Sequence, residues 1–279
     1  MVTQEQRRRQ LAREKFLRQQ QRRTAARRKA HTRNAVVASV LGVVVVGSVV
    51  SYATGVFKND DNKSDAAAQA SPSPSAPSKA PDPCEKPAAG KVKSLSYKKE
   101  PAITIDKSAS YTMKLQTTCG AIDIDMPAAK APHTVNSFGF LAGKGYLDHT
   151  KCHRLTTNGI YVLQCGDPKG TGMGGPGYTI PDENLKDKRL KGDVYPAGTV
   201  AMANQYNAQT KEGRDSGGSQ FFLVYQDSPL PPNYTPFGTI SDSGMKVLKK
   251  IAGAGENTGQ GDGAPNATVV IDKATVTKS

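Results

Sequence analysis

From Tyr111 onward, apolar and polar residues alternate with the period of strands. Tyr111, Met113 and Leu115 interleave with Thr112, Lys114 and Gln116. After a Cys119-Gly120 turn, Ile122, Ile124 and Met126 interleave with Asp123 and Asp125. Side chains two apart share a strand face, so both runs read as half-buried strands of one hairpin. The period changes at Pro132, where Val135, Phe138 and Leu141 recur every third residue before Gly143. That pattern predicts a helix opened by proline and ended by glycine. Residues 152–156 and 160–165 predict a second hairpin about Thr157-Asn158-Gly159, an Asn-Gly turn. Further strands are expected at 198–203, 219–225 and 268–276. A second helix follows Asp242-Ser243, with Val247, Leu248 and Ile251 on one face. Many strands, two separated helices and long Gly/Pro-rich connections predict a mainly β fold: a closed antiparallel barrel capped by helices.

Upstream, the patterning is of another kind. Residues 35–57 form an apolar run containing Val43-Val44-Val45-Val46 and no charge. About 20 apolar residues at a helical rise span the hydrocarbon core, so residues 34–57 predict a transmembrane anchor. The run exceeds the usual length of a signal-peptide apolar region. Ser51-Tyr52-Ala53 nevertheless offers small residues where a peptidase cuts, and a cleaved leader is the competing reading. Residues 58–97 form a Pro/Ser/Ala-rich linker typified by Ser71-Pro72-Ser73-Pro74, which buries too little to fold. The globular domain is assigned to residues 98–279.

Charge sharpens this division. Residues 1–33 hold 12 of the 38 Lys and Arg residues against Glu5 and Glu14, a net of +10 out of the chain's +14. The basic signal therefore belongs to a leader that the flanking-charge rule keeps in the cytoplasm, placing the domain outside. No nucleic-acid partner is expected, because the leader has no supporting fold or aromatic pattern. Cys84, Cys119, Cys152 and Cys165 all fall on the outer side, where disulfides persist. Four cysteines allow three pairings. The second hairpin favours Cys152–Cys165, leaving Cys84–Cys119. A zinc site with His153 is the alternative, and the absence of any C-x-x-C pair argues against a metal.

Three stretches combine a β-type run with polar residues that packing alone does not call for. They are Cys152-His153-Arg154-Leu155, Val162-Leu163-Gln164-Cys165-Gly166-Asp167 and Gly217-Gly218-Ser219-Gln220-Phe221-Phe222. With Ala201-Met202-Ala203-Asn204 between the second and third, they resemble the cyclophilin family of peptidyl-prolyl cis-trans isomerases. Order and spacing match over most of residues 109–279. The resemblance implies a closed eight-stranded barrel with two helices and no cofactor. It makes Arg154 the catalytic arginine and Gln220 the residue that orients its guanidinium. Tyr161, Val162, Phe222, Leu230 and Tyr234 would wall a proline pocket, and Gln164, Ala203 and Asn204 would meet the substrate backbone. The partners implied are proline-containing secreted or envelope polypeptides, and residues 35–57 would contact the cytoplasmic membrane. The leader–anchor–spacer plan and the Ala/Arg/Gly/Pro usage look actinobacterial.

The chemistry suits those residue types. Amide resonance raises a rotation barrier of about 18–20 kcal/mol. A donor aimed at the prolyl nitrogen localises its lone pair and weakens that resonance. Arginine stays protonated and offers several fixed donors. A peptide-binding chaperone on the same fold, with isomerisation incidental, is the alternative, but binding alone does not need the arginine.

Several positions depart from the family pattern. The spacing from Arg154 to Gln164 is longer by about two residues, placed in Thr156-Thr157-Asn158-Gly159. Tyr161 stands where phenylalanine is common, Tyr234 where histidine is common, and Cys165 replaces a glycine. The chain has no tryptophan. Pro229 stands where cyclosporin-sensitive members often carry one, which weighs against tight cyclosporin binding. Two other motifs mislead. Gly170-Thr171-Gly172-Met173-Gly174-Gly175 fits a dinucleotide fingerprint, but Pro176-Gly177 forbids the helix that it needs. Asp215-Ser216-Gly217-Gly218 resembles a serine-protease nucleophile motif without the matching histidine context.

Overall fold

The alternation at residues 110–127 becomes a hairpin of β1 (Ser110–Thr117) and β2 (Gly120–Pro127) in a computed structural model that describes residues 81–279. The leader, the anchor and the linker as far as residue 80 lie outside the described residues. Among the described residues, no helix is long and apolar enough to cross a membrane. Met113 pairs with Ile124 and Leu115 with Ile122, so the apolar halves of both strands reach one core.

Helix α1 (Pro132–Gly143) starts at the predicted proline. Its N-cap residue, Ala131, offers no side-chain oxygen. Glu183 does that work from another loop, accepting the His133 and Thr134 N–H groups at 3.0 and 2.9 Å. Helix α2 (Asp242–Gly253) is capped by its own neighbour, since Ser241 Oγ accepts the Gly244 N–H at 3.1 Å. Leu248 and Ile251 are buried beneath it, and Val247 packs at the edge.

The remaining strands are short. They are β3 (Thr150–Lys151), β4 (Arg154–Thr156), β5 (Val162–Cys165), β6 (Val194–Tyr195), β7 (Thr199–Met202) and β8 (Phe221–Val224). Then come β9 (Ser228–Pro229), β10 (Pro236–Ile240), β11 (Asp262–Gly263) and β12 (Val270–Lys278). Ten form a curled antiparallel sheet in the order β11-β4-β5-β8-β7-β10-β2-β1-β12-β3, and β6 pairs with β9 in a separate ribbon. This corrects the expectation of eight strands in a closed ring, since the end strands β11 and β3 are not paired to one another. The chain itself joins the two halves of the curl. Cys152 N–H reaches Val269 O at 3.0 Å, and the next amide, of His153, reaches Gln164 O at 3.1 Å.

Strand parity creates the site. β5, β7 and β8 are buried almost throughout, which removes the half-polar alternation of β1 and β2. Leu163, Cys165, Val200, Met202, Phe221 and Leu223 join the main core with Phe138 of α1. Their alternates Val162, Ala201, Phe222 and Val224 form a second apolar cluster with Tyr195. Successive strand side chains point to opposite faces, so these runs serve two cores.

The linker boundary also changes. Residues 81–97 lie against the domain: Cys84 is bonded to Cys119, and Glu85 N–H donates to Thr118 O at 2.8 Å. Leu95 and Tyr97 pack on the main core. An apolar residue every second position, Leu95 and Tyr97, gave that segment something to bury.

Candidate active site

Four strands line up their functional residues in one row. Arg154 on β4 pairs with Gln164 on β5, Gln164 with Phe222 on β8, and Phe222 with Ala201 on β7. Paired residues on adjacent strands project to the same side. The row therefore carries a guanidinium, an amide and an aromatic ring onto the face of the second apolar cluster. A cavity of about 240 Å³ opens there. Ile160, Val162, Phe222 and Leu230 supply its apolar wall, Tyr234 an aromatic edge, and Arg154, Gln164, Ala203 and Asn204 its rim.

Aromatic packing fixes the deep end. Phe222 and Tyr234 meet edge to face at 5.5 Å between centroids, and Tyr195 stands against both at 6.1 and 6.3 Å. The buried Tyr195 hydroxyl donates to Tyr234 O at 2.6 Å and accepts the Tyr234 N–H at 3.1 Å. Burial pushes that phenol well above its ordinary value, so it remains a neutral clamp.

Arg154 is held from two sides. Its Nε and Nη2 donate to the two oxygens of Asp262 at 2.7 and 2.8 Å, and Nη1 donates to Gln164 Oε1 at 3.2 Å. Three of five guanidinium N–H groups are thus engaged, leaving two for a ligand. The hydrogen bonds that Arg154 donates to Asp262 raise the Arg154 pKa further and hold Asp262 below the usual carboxylate value. The loop that presents Asp262 is folded by Glu256, whose carboxylate accepts the Thr258 and Gly261 N–H groups at 2.5 and 2.8 Å. Beside Arg154, both ring nitrogens of His153 are buried without a hydrogen-bond partner. Burial lowers the His153 pKa and favours its neutral form.

Gln220 makes no hydrogen bond to Arg154. Its Oε1 accepts from Gln164 Nε2 at 2.9 Å, and its Nε2 donates to Gly172 O and Gly174 O at 3.0 and 2.8 Å. The order is Gly172/Gly174, Gln220, Gln164, Arg154, so Gln220 orients the guanidinium only through Gln164. Tyr161 is a second correction. It meets Tyr225 edge to face at 5.9 Å, and Ile160 takes the wall position instead. Ile160, Val162 and Gln164 share one strand parity, which was readable from the sequence. The Asn204 side chain is spent on Asn233 O at 2.7 Å, Asp182 at 3.3 Å and the Tyr206 N–H at 3.2 Å. Asp262, 108 residues from Arg154 in the chain, left no local signal.

Cys152 is bonded to Cys165, tying β5 to the residue two before Arg154. Gly166 follows with φ +89°, and a Cβ there would run into Ser219 O. The glycine lets β5 leave the sheet directly under the Ser219-Gln220 segment. The two misleading motifs are loops: Gly172 and Gly174 hold Gln220, and Ser216 Oγ donates to Gly213 O. Among the described residues, no cluster of side chains has metal-ligand geometry.

A sheet that carries an oriented arginine over an apolar, aromatic-backed pocket defines a class of peptide-binding site suited to a small ring. Residues 112–276 match the family model described as cyclophilin type peptidyl-prolyl cis-trans isomerase/CLD, and the chain belongs to that family. A relative from Mycobacterium leprae named "Probable peptidyl-prolyl cis-trans isomerase B" is 44% identical over 207 residues. That match covers 71% of this chain and 64% of the relative. A Mycobacterium tuberculosis protein of the same name is 42% identical over 206 residues, covering 71% of this chain and 61% of its own length. The chain therefore spans less than two thirds of these relatives. A crystal structure of a Cryptosporidium parvum cyclophilin type peptidyl-prolyl cis-trans isomerase aligns with TM-score 0.49 and 25% identity. It covers 61% of this chain and 99% of its own.

Proposed function

We propose that this chain accelerates cis–trans isomerisation of X–Pro bonds in proline-containing secreted or envelope polypeptides, assisting their folding. The observation that carries the reading is Arg154, fixed by Gln164 and Asp262 at the rim of the apolar pocket. A proline ring seated on Phe222, Val162 and Leu230 loses water, and desolvation strengthens any charge-assisted hydrogen bond beside it. A free Arg154 N–H directed at the prolyl nitrogen withdraws its lone pair from the carbonyl. The C–N bond then turns with single-bond character, with no bond broken and no metal or cofactor involved. Asn204 and Gln164 hold the flanking backbone, Asn204 through its own main chain, since its side chain is committed elsewhere.

Residues 34–57 anchor the chain in the cytoplasmic membrane, with residues 1–33 inside and the domain outside. The uncharged run at 35–57, the basic flank and the two disulfides support this topology. Relatives from Mycobacterium support an actinobacterial origin. The reading is tested by refolding a client limited by proline isomerisation, with and without the chain. Refolding quickens with wild type and not with Arg154→Ala. Equal acceleration by both proteins overturns it in favour of the peptide-binding chaperone.

A further inference from the structure

The segment Cys84–Tyr97 precedes the family-matched residues 112–276, yet it backs the loop that walls a second depression beside the proline pocket. That groove, about 680 Å³, shares Gln164, Ala203 and Asn204 with the pocket. Its far wall is the loop Gly172–Thr179. A peptide whose proline occupies the pocket continues on one side into this groove, because the shared residues form the passage between them.

The loop has little structure of its own to stiffen it. Its inner side rests on Asp167, which accepts the Thr171 and Gly172 N–H groups at 2.8 and 2.7 Å. Its outer side rests on the N-terminal segment. Tyr97 N–H donates to Pro176 O at 2.8 Å. Gly177, at φ +90°, lies so close that an added Cβ would meet Ser96 Oγ at 2.5 Å and Tyr97 O at 2.6 Å. The Tyr97 ring packs on Phe140 of α1 at 4.9 Å and reaches Tyr178 at 6.5 Å. The segment is pinned along its length by the Cys84–Cys119 bond, by Ala88 N–H on Asp272 at 3.0 Å and by Lys93 Nζ on Lys144 O at 3.0 Å. Among the described residues, the exposed large apolar side chains are Val92 (39%) on this segment and Met173 (85%) on the loop.

We propose that Cys84–Tyr97 is a strap that sets the width of this groove, with Tyr97 as its positioning residue and Cys84–Cys119 as its latch. The strap thereby selects for the residues on one side of the target proline. This rests on the isomerase reading, and the two fail separately. Three peptides serve as probes: a capped Ala-Pro core, the core extended by three residues before it, and the core extended by three after it. In the wild-type chain one extension raises kcat/KM over the core. Tyr97→Ala, and separately Cys84→Ser with Cys119→Ser, keep the rate on the core and lose roughly three- to tenfold of the gain from that extension. Tyr97→Phe restores it. An unchanged gain in both variants overturns the strap, as does a proportional fall on all three peptides. Loss of the strap effect with Arg154→Ala still inactive leaves the isomerase reading standing. Full activity of Arg154→Ala removes that reading instead.

Discussion

At the residue scale, the site depends on how one guanidinium is aimed. Asp262 occupies the Nε–Nη2 edge of Arg154 and Gln164 steadies Nη1, which leaves two donors on a residue that lines the pocket. The ion pair is partly exposed, with Arg154 at 38% and Asp262 at 56%, so solvent discounts its strength. Asp262→Ala is expected to cost about 1 kcal/mol of transition-state stabilisation, roughly fivefold in rate. The effect has a pH signature. Arg154 holds the Asp262 carboxyl below its ordinary 3.8, so the pair is complete above that value and is lost as pH falls through the lower folded one. The ratio of wild-type to Asp262→Ala rates is therefore constant near neutrality and closes on strong acidification. A ratio that stays open in acid contradicts the role given to Asp262. Arg154, Gln164, Phe222 and Tyr234 were named through the resemblance to the cyclophilin pattern, and all four line one pocket. Asp262 was not, since a Gly-rich turn offers no periodicity from which to place it.

At the element scale, β4 and β5 work as one rigid pair. The Cys152–Cys165 bond ties the residue after Gln164 to the residue two before Arg154. Only two residue pairs, Arg154–Gln164 and Leu155–Leu163, define the β4–β5 register, so the covalent tie carries much of the alignment. Cys152→Ser with Cys165→Ser is expected to lower the melting temperature, the loss of a native disulfide costing about 2–4 kcal/mol. It also lowers kcat more than peptide affinity, because the arginine loses its register before the apolar pocket loses its wall. Equal kcat in the two proteins, measured below their melting transitions, contradicts this. The hairpins and both helices followed from periodicity, whereas the caps did not: α1 borrows Glu183, and α2 begins at Asp242 behind Ser241 rather than after Asp242-Ser243. The strands β3, β6, β9 and β11 are two residues long, too short for any alternation to register. β3 and β11 end the curled sheet, and β6 and β9 pair in the separate ribbon.

At the scale of the whole molecule, the chain joins a basic segment at residues 1–33, an apolar run at 35–57 and a disulfide-bonded domain. The described domain begins earlier than composition suggested, because Pro/Ser/Ala content masked the anchoring roles of Cys84 and Tyr97. In cells, the full chain with a C-terminal epitope is expected to sediment with membranes, with its epitope open to protease from outside. Release of the domain in soluble form would favour cleavage near Ser51-Tyr52-Ala53.

On the proposed isomerase function, a planar, oriented guanidinium, more than a positive charge, turns the prolyl bond. This is tested most directly by exchange spectroscopy on a proline peptide saturated with wild type or with Arg154→Lys, which yields the exchange rate and the affinity together. Lysine keeps the charge and loses the fork that Asp262 and Gln164 hold. The account predicts that bound-state exchange slows by at least about tenfold, one 1.36 kcal/mol step in the barrier, while affinity changes little. Exchange at the wild-type rate in Arg154→Lys would contradict it.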